Sequence, residues 1–104
     1  MQATLIKLHQ KDHTLEVHFD TAEPYLLSCE TLRVHAPSAD VQGHGGVGGT
    51  VPIGKEQVNI TSISPVGEYA VKLVFDDGHQ SGIYTWNYLY ELGRRYGQVL
   101  TAQR

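Results

Sequence analysis

Apolar and polar residues alternate in two stretches near the start of the chain, and this pattern predicts a β-hairpin. Leu15, Val17 and Phe19 are separated by single polar residues, which is the period of a strand with one buried face. The stretch 4–9 alternates in a similar way, so we expect it to pair with the first stretch through a turn at residues 10–13.

A short helix is expected further along. The Ser28 hydroxyl can accept a hydrogen bond from a first-turn amide, and Leu27 and Leu32 have the spacing of a hydrophobic staple across that helix start. Because Pro37 disfavours helical geometry at Ala36, the helix should end before these two residues.

The second half of the chain predicts further antiparallel strands. Residues 58–64 and 69–75 have strand patterns, and a turn at Asp77-Gly78 should lead into a returning strand at 80–84. The second of these strands places four apolar side chains on one face: Tyr69, Val71, Leu73 and Phe75.

A longer helix is expected near the end of the chain. Thr85 can cap it, and Leu89, Leu92 and Tyr96 give it one apolar face. Gly97 is the expected terminator of this helix.

These elements predict an α+β fold: a small antiparallel β-sheet meander with a short early helix and a C-terminal helix packed on one face. The length of 104 residues fits one domain, residues 1–104. Residues 43–54 are rich in glycine and are expected to form a loop, and we expect a flexible tail at 98–104.

Composition narrows the classes of function. The formal net charge is −3, which argues against a general surface for nucleic acid or anionic membranes. The N-terminal residues lack the features of a signal peptide, no apolar run approaches membrane-spanning length, and the single cysteine excludes an intramolecular disulfide. We therefore expect a cytoplasmic protein that binds neither membranes nor nucleic acids.

Two glycine motifs lack the context that their function needs. Residues 43–48 satisfy G-x-G-x-x-G, but a strand before it and a helix after it are missing. Residues 49–56 nearly match a P-loop, but Glu56 replaces the hydroxyl residue that holds magnesium and no helix follows. We interpret both motifs as parts of a surface loop.

A split signature is the most specific feature. Its first block runs from Leu32-Arg33 to Gly43-His44, and its second block is Asp76-Asp77-Gly78-His79. The two blocks in this order resemble the domain at the N-terminus of gamma-butyrobetaine hydroxylase-like proteins, over about residues 5–93. The resemblance implies a compact α+β fold. It also implies a relation to three kinds of protein: free-standing bacterial proteins of unknown function, iron- and 2-oxoglutarate-dependent hydroxylases, and P-loop ATPases implicated in iron–sulfur cluster carriage.

The zinc site that the resemblance implies is incomplete in this chain. The zinc-binding members have Cys-Pro-Cys-x-x-Cys after the Leu-Arg pair and a histidine after Asp-Gly. Here the cysteine positions hold Ala36, Ser38 and Val41, and only His79 keeps a ligand side chain. One histidine cannot form a four-coordinate structural site, so we expect no metal and no cofactor.

A different metal site is the alternative. If the fold is as the resemblance implies, His79 lies near the segment that contains His35, Asp40 and His44. Imidazole and carboxylate groups suit zinc or iron, so these four residues are the candidate ligands, although their spacing is not diagnostic.

Two side chains near the first block have competing interpretations. Cys29 has no neighbouring base, so a packed structural cysteine is favoured over a reactive thiol. Arg33 could bind a carboxylate or phosphate group of a ligand. An internal ion pair is the favoured alternative, with three candidate partners: Glu30, Asp40 and Asp76.

No complete set of catalytic residues is found, so we do not expect an enzyme. The chain is expected to be a non-catalytic binding or adaptor domain for a partner protein, with hydroxylases or iron–sulfur assembly proteins suggested by the family context. Exposed members of the aromatic cluster around Trp86 could also anchor a partner. The predicted binding surface contains seven residues: Arg33, His35, Ser38, Asp40, His44, His79 and Tyr84.

Overall fold

The computed structural model describes residues 1–37, 57–78 and 82–100, and its strands form two antiparallel sheets. The elements in chain order are β1 (Ala3–His9), β2 (Thr14–Phe19), β3 (Tyr25–Ser28), α1 (Cys29–Val34), β4 (Ile60–Val66), β5 (Ala70–Phe75), β6 (Gly82–Thr85), α2 (Trp86–Tyr96) and β7 (Gln98–Val99). The first sheet has the order β1-β2-β3-β7 and the second β4-β5-β6. The predicted α+β class is confirmed, and the predicted meander is divided between two sheets.

The first hairpin forms where the alternation predicted it. Ile6 lies opposite Val17, and Leu8 lies opposite Leu15. The β2 residues of these pairs are fully buried, so one face of the sheet covers the core. His13 has a positive φ of 56° in the connecting turn.

The first sheet contains two strands that the pattern did not reveal. β3 pairs with β2, with Leu27 opposite Leu15, and β7 pairs with β3 through Tyr25 and Val99. Strands of four and two residues are too short to show a period of their own. Residues 98–99, which we assigned to a flexible tail, are therefore part of the sheet.

Both helices begin at the predicted caps. The Ser28 hydroxyl accepts a hydrogen bond from the Thr31 amide at 3.0 Å, and the Thr85 hydroxyl accepts one from the Tyr88 amide at 3.1 Å. α1 ends before Ala36 and Pro37, and α2 ends before Gly97, as predicted. The local sequence thus determines where each helix starts and stops.

Residues from both sheets and both helices share one core. Its largest fully buried members are Tyr84, Phe75, Leu15, Leu27, Leu32, Ile60, Leu73 and Leu89. Gly93 lets α2 approach β3 closely, because a Cβ atom there would lie 2.6 Å from the ring of Tyr25. The glycine that weakens helix propensity is therefore required by packing.

Two aromatic residues that we placed on apolar faces are exposed. Tyr69 lies in the turn before β5 and is 56% exposed, and Tyr96 in the last turn of α2 is 52% exposed. Periodicity alone could not show that Tyr69 precedes the strand. The β5–β6 turn does contain the expected glycine conformation, since Gly78 has a φ of 96°.

Several sequence predictions concern residues outside the described part of the chain. They are the glycine-rich loop at 43–54, residues 101–104, and the side chains of Ser38, Asp40, Val41, His44 and His79. Within the described ranges, neither helix has the length and apolar character needed to cross a membrane.

Candidate functional site

The two blocks of the split signature meet through an ion pair. Arg33 Nε on α1 lies 2.8 Å from Asp77 Oδ2 in the β5–β6 turn, across 44 positions of sequence. Only 16% and 19% of these side chains are exposed. An internal ion pair was the favoured interpretation of Arg33, but its partner is Asp77 rather than Glu30 or Asp76.

Asp76 has a different role, and it fixes the segment before β4. The Asn59 amide donates to Asp76 Oδ1 at 3.1 Å, and the Asp76 amide donates to the Asn59 carbonyl at 2.9 Å. This reciprocal pair occupies Asp76 and leaves the next residue, Asp77, to contact Arg33.

The Asn59 side chain connects three further groups. Its Nδ2 donates to the Gln10 carbonyl at 2.9 Å, and its Oδ1 accepts from the Ile60 amide at 3.2 Å. The same oxygen lies 3.7 Å from Cys29 Sγ. We call the set Gln10, Cys29, Arg33, Asn59, Asp76 and Asp77 the inter-sheet joint, because it ties the first hairpin and α1 to the second sheet.

Cys29 is a buried member of this joint. The residue is fully buried, and burial raises the pKa of its thiol to about 11. The thiolate that a nucleophile or metal ligand needs is therefore scarce at neutral pH. This supports the interpretation as a packed structural cysteine.

Tyr84 does not lie on the predicted binding surface. Alternation along β6 directs Tyr84 inward and Ile83 outward, and Tyr84 is fully buried. Its hydroxyl donates to the Leu32 carbonyl, and burial raises its pKa. Tyr84 thus supports the first signature block from inside the core and cannot contact a partner.

His35 is held between α1 and α2. Its ring stacks on the ring of Tyr96 with centroids 4.6 Å apart, and its carbonyl accepts a hydrogen bond from the Tyr88 hydroxyl at 2.6 Å. Partial burial lowers the pKa of His35. Of the four candidate metal ligands, His35 is the one within the described residues, and the described residues contain no group of three His, Cys, Asp or Glu side chains placed to hold a metal ion.

A polar cluster on the outer face of the first sheet was not predicted. Glu16 contacts His9 Nε2 through Oε1 at 2.8 Å and His18 Nε2 through Oε2 at 2.5 Å. These hydrogen bonds lower the pKa of Glu16. The His9–Glu16 contact joins β1 to β2, and His18 contacts the other carboxylate oxygen from the same strand as Glu16.

An open groove lies at the start of α2. Its volume is about 290 Å³, and it is lined by Met1, Gln2, Tyr69, Thr85, Trp86 and Asn87. We call it the Trp86 groove. Its side chains include no carboxylate, imidazole, thiol or amine, so they are suited to contact and hydrogen bonding rather than to acid–base or nucleophilic chemistry.

The walls of the Trp86 groove are fixed by hydrogen bonds. Trp86 Nε1 donates to the Glu68 carbonyl at 2.8 Å and to Gln2 Oε1 at 3.2 Å. Gln2 is in turn tied to Asp20, since the Gln2 amide donates to Asp20 Oδ1 at 3.1 Å and the Asp20 amide donates to the Gln2 carbonyl at 3.0 Å. The groove therefore exists before any ligand binds.

Sequence reasoning identified one residue of this groove and missed the others. Trp86 belonged to an aromatic cluster whose exposed members were candidate anchors. Tyr69 and Gln2 come from turns and strand ends far away in the chain, and no spacing rule connects segments that meet only in the fold.

Comparison with known proteins identifies the family that the split signature resembles. The family model described as gamma-butyrobetaine hydroxylase-like, N-terminal, matches residues 6–90. A crystal structure of a protein of unknown function from Acidithiobacillus ferrooxidans, of the DUF971 family, is similar to this chain. It has 36% identity and a TM-score of 0.73, over 88% of this chain and 92% of that one.

Two solution structures determined by NMR are also similar. One has 49% identity and a TM-score of 0.73, over 90% of this chain and 70% of that one. The other has 47% identity and a TM-score of 0.76, over 91% and 75%. No curated protein matches the chain.

Proposed function

We propose that this chain, which belongs to the gamma-butyrobetaine hydroxylase-like N-terminal family, is a non-catalytic binding domain. In this role it acts as an adaptor for a partner protein. The similar structure from Acidithiobacillus ferrooxidans is of a protein of unknown function. The observation that carries the proposal is the Trp86 groove, which combines fixed walls with exposed aromatic surface.

The composition of the groove supports protein binding. Tyr69 is 56% exposed and Met1 is 42% exposed, and Trp86 forms a third apolar wall. Aromatic residues and methionine are enriched at protein interfaces relative to the rest of the surface, and tryptophan and tyrosine are frequent binding hot spots. Removal of such apolar side chains from water by a partner stabilises the complex.

Four of the described residues that could carry chemistry support a non-catalytic role. Arg33, Asp76 and Asp77 are used in the inter-sheet joint, and Cys29 is buried with a raised pKa. A nucleophile or a general base needs access to substrate and a pKa near the working pH. These residues hold the fold together instead. Hydroxylases and iron–sulfur assembly proteins are the first partners to test, because the family resemblance implies a relation to them.

Reciprocal capture tests the adaptor function. The wild-type protein, Tyr69→Ala and Tyr96→Ala are expressed with a cleavable tag in the native host, cross-linked and purified. Tyr96 is the matched control because it is a tyrosine of similar exposure at the other end of α2. We expect one partner that recovers the domain when it is tagged in turn, and that is lost only with Tyr69→Ala. Absence of a reciprocal partner, or equal recovery with both variants, would contradict the proposal.

Elemental analysis of the same protein without its tag separates the adaptor from the metal alternative. That alternative assigns zinc or iron to His79 with His35, His44 and Asp40. Stoichiometric zinc or iron that disappears in His79→Ala would replace the adaptor proposal. Equal trace amounts of metal in the two proteins would leave the adaptor proposal in place.

A further inference from the structure

We propose that the Trp86 groove binds a short segment of a partner protein that presents an apolar anchor side chain next to lysine or arginine. This inference rests on the proposed function and specifies the chemistry of the partner. It comes from the size of the groove, its fixed walls and the charge around it.

The size of the groove favours a side chain over a cofactor. Pockets for drug-sized ligands have volumes of roughly 300–1,000 Å³, whereas the Trp86 groove has about 290 Å³ and is open to solvent. A nucleotide or flavin would keep much of its surface in solvent there, unlike in a typical cofactor pocket. One large apolar side chain with its adjoining backbone fits it, and the amide of Asn87 and the hydroxyl of Thr85 can contact polar groups of that backbone.

The fixed walls reduce the loss of conformational entropy on binding. Trp86 is held by the Glu68 carbonyl and by Gln2, and Gln2 is held by Asp20. Thr85 is fixed as the cap of α2. An anchor that enters the groove therefore does not need to order these groups, and this preorganisation improves affinity.

Apolar surface continues from the groove along β6. Ile83 and Thr85 are two residues apart on this strand and lie on the same face, which is the exposed face of β6. Ile83 is 44% exposed. A bound segment can therefore extend beyond the anchor and cover Ile83.

The charge around the groove favours a basic segment. Asp20 binds the Gln2 amide, and Glu68 is the residue whose carbonyl holds Trp86; both residues are exposed. The hydrogen bond from the Gln2 amide holds the pKa of Asp20 below its ordinary value, so Asp20 carries a negative charge beside the groove at neutral pH. Complementary charge around an apolar contact increases specificity and association rate.

The other end of α2 provides an internal contrast. Tyr96 is 52% exposed, and its neighbours along the chain are Arg94 and Arg95, whose side chains are 54% and 63% exposed. Both arginines pair with Glu91, which leaves a net positive charge beside Tyr96, and an aromatic anchor in this environment would favour acidic segments. The sign of charge in a bound peptide therefore distinguishes the two ends of the helix.

Peptide selection tests the inference directly. Random peptides displayed on phage are selected against the folded, immobilised protein, and synthetic copies are titrated while the fluorescence of Trp86, the only tryptophan, is followed. We expect enriched peptides with an apolar or aromatic residue beside Lys or Arg. In two-dimensional NMR spectra, the shifted amides should include residues 69, 86 and 87.

Variants separate the groove from other surfaces. Tyr69→Ala should lower the affinity for the peptide by about tenfold, the size of a moderate hot spot. Asn87→Arg should lower the affinity because the larger side chain blocks the groove. Glu68→Lys should lower the affinity by about threefold, because attraction to the basic residue of the peptide is lost. Tyr96→Ala and Glu30→Lys, at an exposed acidic position on α1, should leave affinity unchanged.

Three results would overturn the inference: enrichment of acidic peptides, amide shifts around residue 96 instead of residue 86, or equal affinities for Tyr69→Ala and Tyr96→Ala. Each of these would leave the reciprocal capture of a partner protein intact. If the selected peptides behave as expected but no partner protein is captured reciprocally, the adaptor function is rejected instead.

Discussion

At the inter-sheet joint, the side chains of Arg33 and Asp77 pair with each other and are mostly shielded from solvent, whereas at the Trp86 groove the side chain of Tyr69 remains exposed beside a tryptophan that hydrogen bonds hold in place. Arg33 and Asp77 at the joint are less than a fifth exposed, and Tyr69 at the groove is more than half exposed. Three residues of the two signature blocks, Arg33, Asp76 and Asp77, belong to the joint, and none of the residues that line the groove belongs to these blocks. The described signature residues therefore help to close the fold, and the partner surface that we propose lies at the groove instead.

Cysteine reactivity should give the largest contrast between the two regions. Burial raises the pKa of Cys29 to about 11 from 9.0, which lowers the thiolate fraction about a hundredfold. We expect native protein to react with iodoacetamide at pH 7.5 at least about a hundredfold more slowly than protein unfolded in urea. In a Cys29→Ser background, Tyr69→Cys should react at nearly the unfolded rate. Similar rates for the two cysteines would remove the contrast.

One hydroxyl group can be deleted in the core beneath the joint and one at the groove. Tyr84→Phe leaves the buried Leu32 carbonyl without its donor, so the free energy of unfolding should fall by about 1–3 kcal/mol. Tyr69→Phe changes an exposed side chain and should stay within about 0.5 kcal/mol of wild type. Urea unfolding followed by circular dichroism measures both, and equal stabilities would show that the Tyr84 hydroxyl contributes nothing to holding α1.

The Arg33–Asp77 pair should contribute more to the free energy of unfolding than an exposed ion pair does. A double-mutant cycle with Arg33→Met and Asp77→Asn should give a coupling of about 1 kcal/mol, because the pair is mostly shielded. The matched pair Glu91–Arg95 has a distance of 2.7 Å but exposures of 39% and 63%, and its coupling should be about 0.3–0.5 kcal/mol. A larger coupling on the helix surface would contradict the structural role of the joint.

Acid should loosen the groove by a smaller, local effect. The Gln2 amide, as its hydrogen-bond donor, holds the pKa of Asp20 below its ordinary value of 3.8. The contribution of Asp20 to stability is therefore complete above pH 3.8 and is lost as the pH falls through the lower folded-state pKa. Trp86 emission should change in that range before circular dichroism does. Asp20→Asn should lack this step, and an identical acid titration of both proteins would exclude Asp20 as its source.

Short-range sequence rules predicted where helices and turns begin and end. Tertiary packing determined which side chains are buried and which residues pair. Ser28 and Thr85 cap their helices and Gly78 takes a positive φ because each needs only its immediate neighbours. The inward position of Tyr84 and the partner of Arg33 depend on which strand and which turn approach α1. The groove depends on three separate segments. For these features the sequence contains the residues but no short-range pattern that joins them.

The direct connection between β6 and α2 has a consequence for local opening. Thr85 is both the last residue of β6 and the cap of α2, and the Trp86 amide donates to the Tyr69 carbonyl at 3.1 Å. With no linker to act as a hinge, the first turn of the helix cannot open without breaking the end of the strand. Backbone amides on both sides of this junction should therefore exchange their hydrogens with solvent as one cooperative unit.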